Sequence, residues 1–241
     1  MLTKPPEKEM SFLEHLEELR SRLIKSVVVI IAMAVVVYFF SEKLVDFFTA
    51  PLPQVYFMAP TEAFMVRIKL SLIGGAIVSI PVVFYHLWMF IGPGLLKSEA
   101  KIVIPIVISA TIFFLIGAAL CFFVMLPVAV KFMLGFSTAK LQPLISIDNY
   151  ISFAGMLILA FGLVFELPVA SFILGRMGVI NARMLSKGRR YAIVVILIAS
   201  AILTPTPDAF NQLLLAGPMY VLYEISIIVV WFTGRKRGET K

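Results

Sequence analysis

The chain has 241 residues, 61% hydrophobic and only 15% charged, with a mean hydropathy of +1.00. Soluble domains average about half apolar and about a quarter charged, so this composition excludes a soluble globular protein and implies a polytopic membrane protein. The net charge of +7 is then read as basic residues on cytoplasmic loops, not as a nucleic-acid footprint, and the lone cysteine, Cys121, excludes an intrachain disulfide.

The N-terminal segment is charged and longer than a signal-peptide n-region. The apolar run behind it lacks a small-residue cleavage site, so no cleaved leader is expected. Phe12, Leu16, Leu19 and Leu23 recur at helical spacing, and Ser11 with Glu14 fits a capping box. These predict an amphipathic cytoplasmic helix over 1–22 that runs into the first span. Glu18 stands one turn before Arg22, a spacing that pairs them on a helix surface.

A helix crosses the hydrocarbon core, roughly 30 Å, with roughly 20 apolar residues. By that measure six spans are predicted, over 23–40, 70–91, 102–130, 151–175, 191–204 and 210–232. The whole chain, 1–241, then forms a single all-α transmembrane domain. Pro81, Pro105, Pro127, Pro168 and Pro218 fall within these helices and favour bends, and as a set they suggest helices curved around a concave face. No internal repeat is evident.

Between the spans, residues 41–66 and 131–149 are long and partly apolar and are expected to form a cap. The turn 92–101 holds one acid, Glu99, between Lys97 and Lys101; alone it reads as a solvated neighbour of both, worth little. The fourth span carries Glu166, about ten residues from Arg176 and hence roughly 15 Å deep. An acid at that depth is a functional candidate by default. The structural alternative is a hydrogen bond across helices, for example to Gln212. Pro168 also frees the Val164 carbonyl, so two polar groups would share one spot inside the membrane.

The fifth span has 14 residues between Arg190 and Pro205, roughly 21 Å of helix, so the bilayer beside it is expected to be thin. Asp208 is placed to cap the last helix. Glu224 sits near that helix's far end, within reach of water. All Lys and Arg residues except Lys43, Arg67, Lys69, Lys131 and Lys140 fall on one side of this arrangement. The positive-inside rule makes that side cytoplasmic, with both termini, and Trp88 and Trp231 fall at cytoplasmic ends as an aromatic belt would.

No cofactor is expected. His15 and His86 lie far apart without a cysteine cluster, so no metal site is expected either. No hydrolase or nucleotide-binding motif appears, so the chain is not read as an enzyme.

The blocks HLEELRSRL (15–23), APLP (50–53), APTEAFMVRIKLSL (59–72), FYHLWMFIGPGLLKSE (84–99), FELPV (165–169) and TPTPDAFNQ (204–212) resemble the signature motifs of the TatC family. TatC proteins are six-span subunits of the twin-arginine protein translocase. The resemblance implies a receptor for the twin-arginine signal peptides of folded cargo. Such a receptor works in an oligomeric complex with the single-span proteins TatA and TatB in the cell membrane, driven by the proton-motive force. It places the signal-peptide acids at Glu18 and Glu99, with Arg20 and Phe90 on neighbouring motif positions, and the intramembrane acid at Glu166. Pro51, Asp208 and Gln212 match further motif positions. Glu17, an extra acid beside Glu18, leaves open which of the two meets the arginines. On this reading the acids are held without neutralisation by their own chain. A different reading is a proton-coupled secondary transporter of a small substrate with Glu166 as the proton carrier; a third is a scaffold for other membrane proteins.

Overall fold

In a computed structural model, residues 12–52, 54–91, 103–138, 140, 142–204 and 208–238 are described. Helix α1 runs Phe12–Tyr38, α2 Ser41–Thr49, α3 Glu62–Ile91, α4 Val103–Leu120, α5 Leu126–Leu134, α6 Ile147–Val164, α7 Leu167–Met177, α8 Ala182–Leu203 and α9 Ala209–Gly238. Among the described residues there is no strand, only an isolated parallel bridge between Tyr56 and Ser146. Joined through short breaks, α4–α5 and α6–α7 each make one span. With α1, α3 and α9 they give five helical rods long and apolar enough to cross a bilayer.

The remaining span, fifth in chain order, is α8. Its first turns hold Arg183, Lys187, Arg189 and Arg190, so its apolar part covers only roughly 20 Å. The chain is thus an all-α, multi-pass membrane protein whose fifth crossing is short.

No glycine or proline interrupts 12–38, so the N-terminal surface helix and the first span form one continuous rod. That rod lies along α3. Ser26 and Ala34 of α1 are buried there, as are Ser71 and Ser79 of α3. A β-carbon on Gly75 would stand 2.5 Å from the Ala34 backbone nitrogen. The small-residue spacing 71–75–79 lets the two backbones approach, which is how helices associate where lipid is as apolar as leucine. The other sides of α1 present Val27, Ile31 and Val35 outward, all exposed. For a spanning helix the solvent on that face is hydrocarbon.

The core lies between α3, α4 and α6, where Leu70, Phe114, Ile151, Leu157 and Phe161 are almost fully enclosed. Trp88 belongs to this core. It is buried, not at a lipid interface as its position near a helix end suggested, because its ring faces other helices. Trp231, by contrast, is half exposed.

The two long loops do form a cap. The Tyr56 N–H donates to the Ile145 carbonyl, and the Ile147 N–H to the Tyr56 carbonyl, both at 2.9 Å. The Tyr150 hydroxyl donates to the Phe48 carbonyl at 2.9 Å. Lys69 reaches both carboxylate oxygens of Asp148, at 2.6 and 2.7 Å, and Ser152 at 2.9 Å. These bonds close backbone and charge that a membrane edge would leave costly.

Helix ends follow local rules. The Ser146 hydroxyl accepts from the Asn149 N–H, the Asn181 carbonyl oxygen of the side chain accepts from Met184 N–H, and Asp208 accepts from Asn211 N–H at 2.7 Å. Gly178, at φ 80°, ends α7 in the left-handed region, with the Val179 N–H returning to the Leu174 carbonyl.

Candidate functional site

Glu18 lies on the face of α1 turned towards α3. Arg22 Nε donates to its Oε1 at 2.8 Å, the i,i+4 pair that the spacing foretold. The expectation that this acid stands without a partner from its own chain is therefore overturned: a helical turn brings Arg22 onto it. The second oxygen is different. Glu18 Oε2 is buried and has no hydrogen-bond partner. The His15 Nδ1 stands 3.9 Å from it, beyond hydrogen-bond reach.

Phe90, near the end of α3, stacks on His15 with ring centroids 4.3 Å apart and planes 11° apart. Three elements of the site thus meet: a half-satisfied carboxylate, an imidazole and an aromatic platform. The His15–Phe90 contact was not read from the sequence, where His15 was weighed only as a metal ligand. The H-x-x-E spacing, which puts His15 and Glu18 on one helix face, was the available signal. Glu17 and Arg20 point outward and are exposed. Glu99, together with Ser11 of the capping box, lies outside the described residues.

Glu166 sits at the junction of α6 and α7. Here the helix tightens: the Glu166 N–H bonds the Leu163 carbonyl at 3.1 Å, three residues back, and the Ala170 N–H takes the Glu166 carbonyl at 2.8 Å. Pro168, in the first turn of α7, has no N–H to continue the ladder. The side chain is half-buried, and Oε1 is enclosed with no hydrogen-bond partner. Gln212 does not reach it. Gln212 Nε2 donates instead to the Leu197 carbonyl of α8 at 3.0 Å, holding the last hairpin together. The junction is held by interlocking rings. Phe165 fills the notch left by Gly117 on α4, and Phe114 fills the notch left by Gly162 on α6.

The last hairpin carries its own polar set. Arg189 grips Glu224 through Nε–Oε1 at 2.8 Å and Nη2–Oε2 at 2.9 Å, and the Tyr220 hydroxyl adds a third bond at 2.9 Å. The bidentate fit of guanidinium to carboxylate makes this a tie between α8 and α9. Asp208 and Gln212, a turn apart, serve the same hairpin at its other end. Pro51 lies across the molecule, in the cap. The structure thus brings Glu18, His15 and Phe90 together, and leaves Glu166, the Asp208–Gln212 pair and Pro51 at separate places. Among the described residues, no cluster of His, Cys, Asp or Glu offers three ligands for a metal.

Residues 14–218 match the family model "Sec-independent protein translocase protein (TatC)". A protein of that name from Desulforapulum autotrophicum is 40% identical over 238 residues, covering 96% of this chain and 88% of the relative. One from Carboxydothermus hydrogenoformans is 38% identical, covering 98% and 99%. A solved structure described as "Crystal Structure of Twin Arginine Translocase Receptor- TatC" superimposes with a TM-score of 0.82 at 36% identity, over 91% of this chain and 99% of the other. A family match along most of the chain, with the same helical arrangement, decides for a protein translocase over a small-substrate transporter: the chain belongs to the TatC family and is a multi-pass transport subunit of the twin-arginine translocase.

Proposed function

We propose that the chain is the translocase's signal-peptide receptor and that Glu18 and Glu99 receive the two arginines of the leader. The observation that carries this is Glu18 Oε2, a buried carboxylate oxygen with no hydrogen-bond partner beside the stack of His15 on Phe90. An unpaired buried acceptor is costly, and a guanidinium relieves that cost. Turning the His15 ring aside gives a visiting arginine the second oxygen while Arg22 keeps the first. Two parallel charge-assisted bonds suit a guanidinium fork, and lysine does not reproduce them. Arg20 and Phe90 border the peptide.

The apolar part of the leader then follows the concave wall towards Glu166, where a protonated carboxyl can donate as well as accept. Gln212, on the short hairpin, is assigned with Glu166 as an intramembrane polar position, and Asp208, beside it, and Pro51, in the cap, as structural or partner positions, within an oligomeric complex with TatA and TatB driven by the proton-motive force. In this arrangement both termini face the cytoplasm, as the distribution of basic residues requires.

The test is peptide binding to the purified, reconstituted protein. Glu18→Gln and Glu99→Gln should each weaken a twin-arginine peptide, and weaken it more than the same peptide carrying two lysines. Equal losses for both peptides would remove the bidentate recognition from the proposal.

A further inference from the structure

At the cap end of the molecule, α2 and the α4–α5 span leave a groove of about 620 Å³ between them. Phe47, Ala50 and Pro51 form one wall; Phe122 and Phe123 belong to the other, and Lys131 lines it as well. None of the bonds that tie the cap together runs through this groove.

Its second wall is built by an irregularity in the span. Residues Cys121–Met125 form a π-helical turn, in which the Leu126 N–H reaches back five residues to the Cys121 carbonyl. The next residue, Pro127, has no N–H to donate. The widened turn takes up an extra residue ahead of that proline. Such turns are frequent at functional sites. Here Phe122 goes into the core, packed on Phe48, while Phe123 is left 66% exposed. Phe47 stacks on Phe122 with centroids 4.6 Å apart and meets Phe123 edge-on at 6.4 Å. The rings hold one another, so the cleft is formed in advance.

Scattered exposed phenylalanines on a spanning helix need only lipid to explain them. A preformed apolar cleft that also contains a cation asks for an amphiphile. Lys131 lies three residues before the end of α5. It is exposed, and its ammonium has no ion pair or hydrogen bond among the described residues. A lysine near the end of a span lays its stem along apolar surface and carries its charge to the headgroup level. The bilayer that surrounds this span supplies molecules with the complementary pattern of an apolar chain ending in a negative group. We propose that the groove binds one anionic phospholipid from the leaflet at the cap end, an acyl chain lying against Phe47 and Phe123 and the phosphate on Lys131.

The full-length protein in detergent, given equal amounts of phosphatidylglycerol and phosphatidylcholine, is read by native mass spectrometry. The wild type should retain phosphatidylglycerol in preference. Lys131→Gln should cut that preference about fivefold, the weight of one basic side chain at an anionic membrane surface. Ala50→Trp, which fills the groove from an exposed position, should lower retention of both lipids. Both sites are exposed, and an unchanged thermal midpoint verifies that the variants fold. No preference in the wild type, or wild-type retention by both variants, overturns the proposal. In native membranes a photoreactive residue in place of Ala50 should label lipid. Labelling of a polypeptide, whether a second copy of this chain or another protein, overturns it in favour of a protein occupant.

Discussion

The ring of Phe165 occupies the space that a side chain on Gly117 would need: a β-carbon there would lie 2.7 Å from the ring's Cγ. The relationship is reciprocated one helix turn away, where Phe114 of α4 sits in the notch of Gly162. Two glycines and two rings thus lock α4 to the α6–α7 junction, and the residue after Phe165 is Glu166. The lock sets where the intramembrane acid stands. Gly117→Val should force the ring out and lower stability by about 1–3 kcal/mol, the usual cost of overpacking. The thermal midpoint in detergent measures it, and Gly117→Ala, which brings only a β-carbon against the Phe165 ring and the Phe161 carbonyl, should lose less. A wild-type midpoint for Gly117→Val would show that the junction has slack.

Glu166 separates function from stability. Its Oε1 is enclosed without a partner, so removing the charge-bearing group gives up no hydrogen bond made by that atom. Glu166→Gln and Glu166→Ala should therefore keep or raise the thermal midpoint while export of a twin-arginine reporter falls. Normal export by both variants would end its assignment as a functional acid. A sharp fall in the midpoint would make it structural.

The two adjacent acids on α1 are expected to part company. Glu17 is exposed, whereas Glu18 is about 19% exposed and faces α3 and the His15–Phe90 stack. Glu17→Gln should leave twin-arginine peptide affinity unchanged, and Glu18→Gln should reduce it. Arg22→Gln tests the point from the other side. It frees Glu18 Oε1 without touching Oε2, so peptide affinity should hold or rise. If affinity instead follows Glu17, the orientation of α1 argued above is not the one that binds.

Asp208 caps α9 through the Asn211 N–H. Asp208→Ala should cost about 0.5–2 kcal/mol, the range for losing such a cap, and Asp208→Asn should restore most of it. Hydrogen exchange in the first turn of α9 reports the effect locally. Unchanged protection in the alanine variant would mean that packing alone holds this helix end.

Much of the architecture was legible in the residues. The composition named the solvent, and the apolar runs named the spans. The Asp208 cap was read from its place before the last helix, and Ser146, Asn181 and Gly178, found only in the structure, obey the same short-range rule, because a cap needs only a neighbour within three or four residues. The Glu18–Arg22 pair was legible for the same reason. Trp88 and Gln212 were not. Trp88 was assigned to a belt from its place near a helix end, and Gln212 was weighed as a partner for Glu166; both turned out to serve packing between helices. On a membrane helix the usual guide fails, since residues facing lipid and residues facing protein are alike apolar and the pattern has no inside or outside.

What the sequence determined alone is therefore what depends on short range or on bulk solvent: an all-helical protein of six crossings, the shortness of the fifth, the Asp208 cap, and the presence of acids within or beside the spans. A bilayer that cannot hydrogen-bond to the backbone leaves little choice about these. Only the tertiary structure decided which face of each rod meets protein. That choice rests on glycine notches and aromatic rings fitting across helices distant in sequence, and it settles that one oxygen of Glu18 is taken, the other is not, and Glu166 Oε1 is left without a partner.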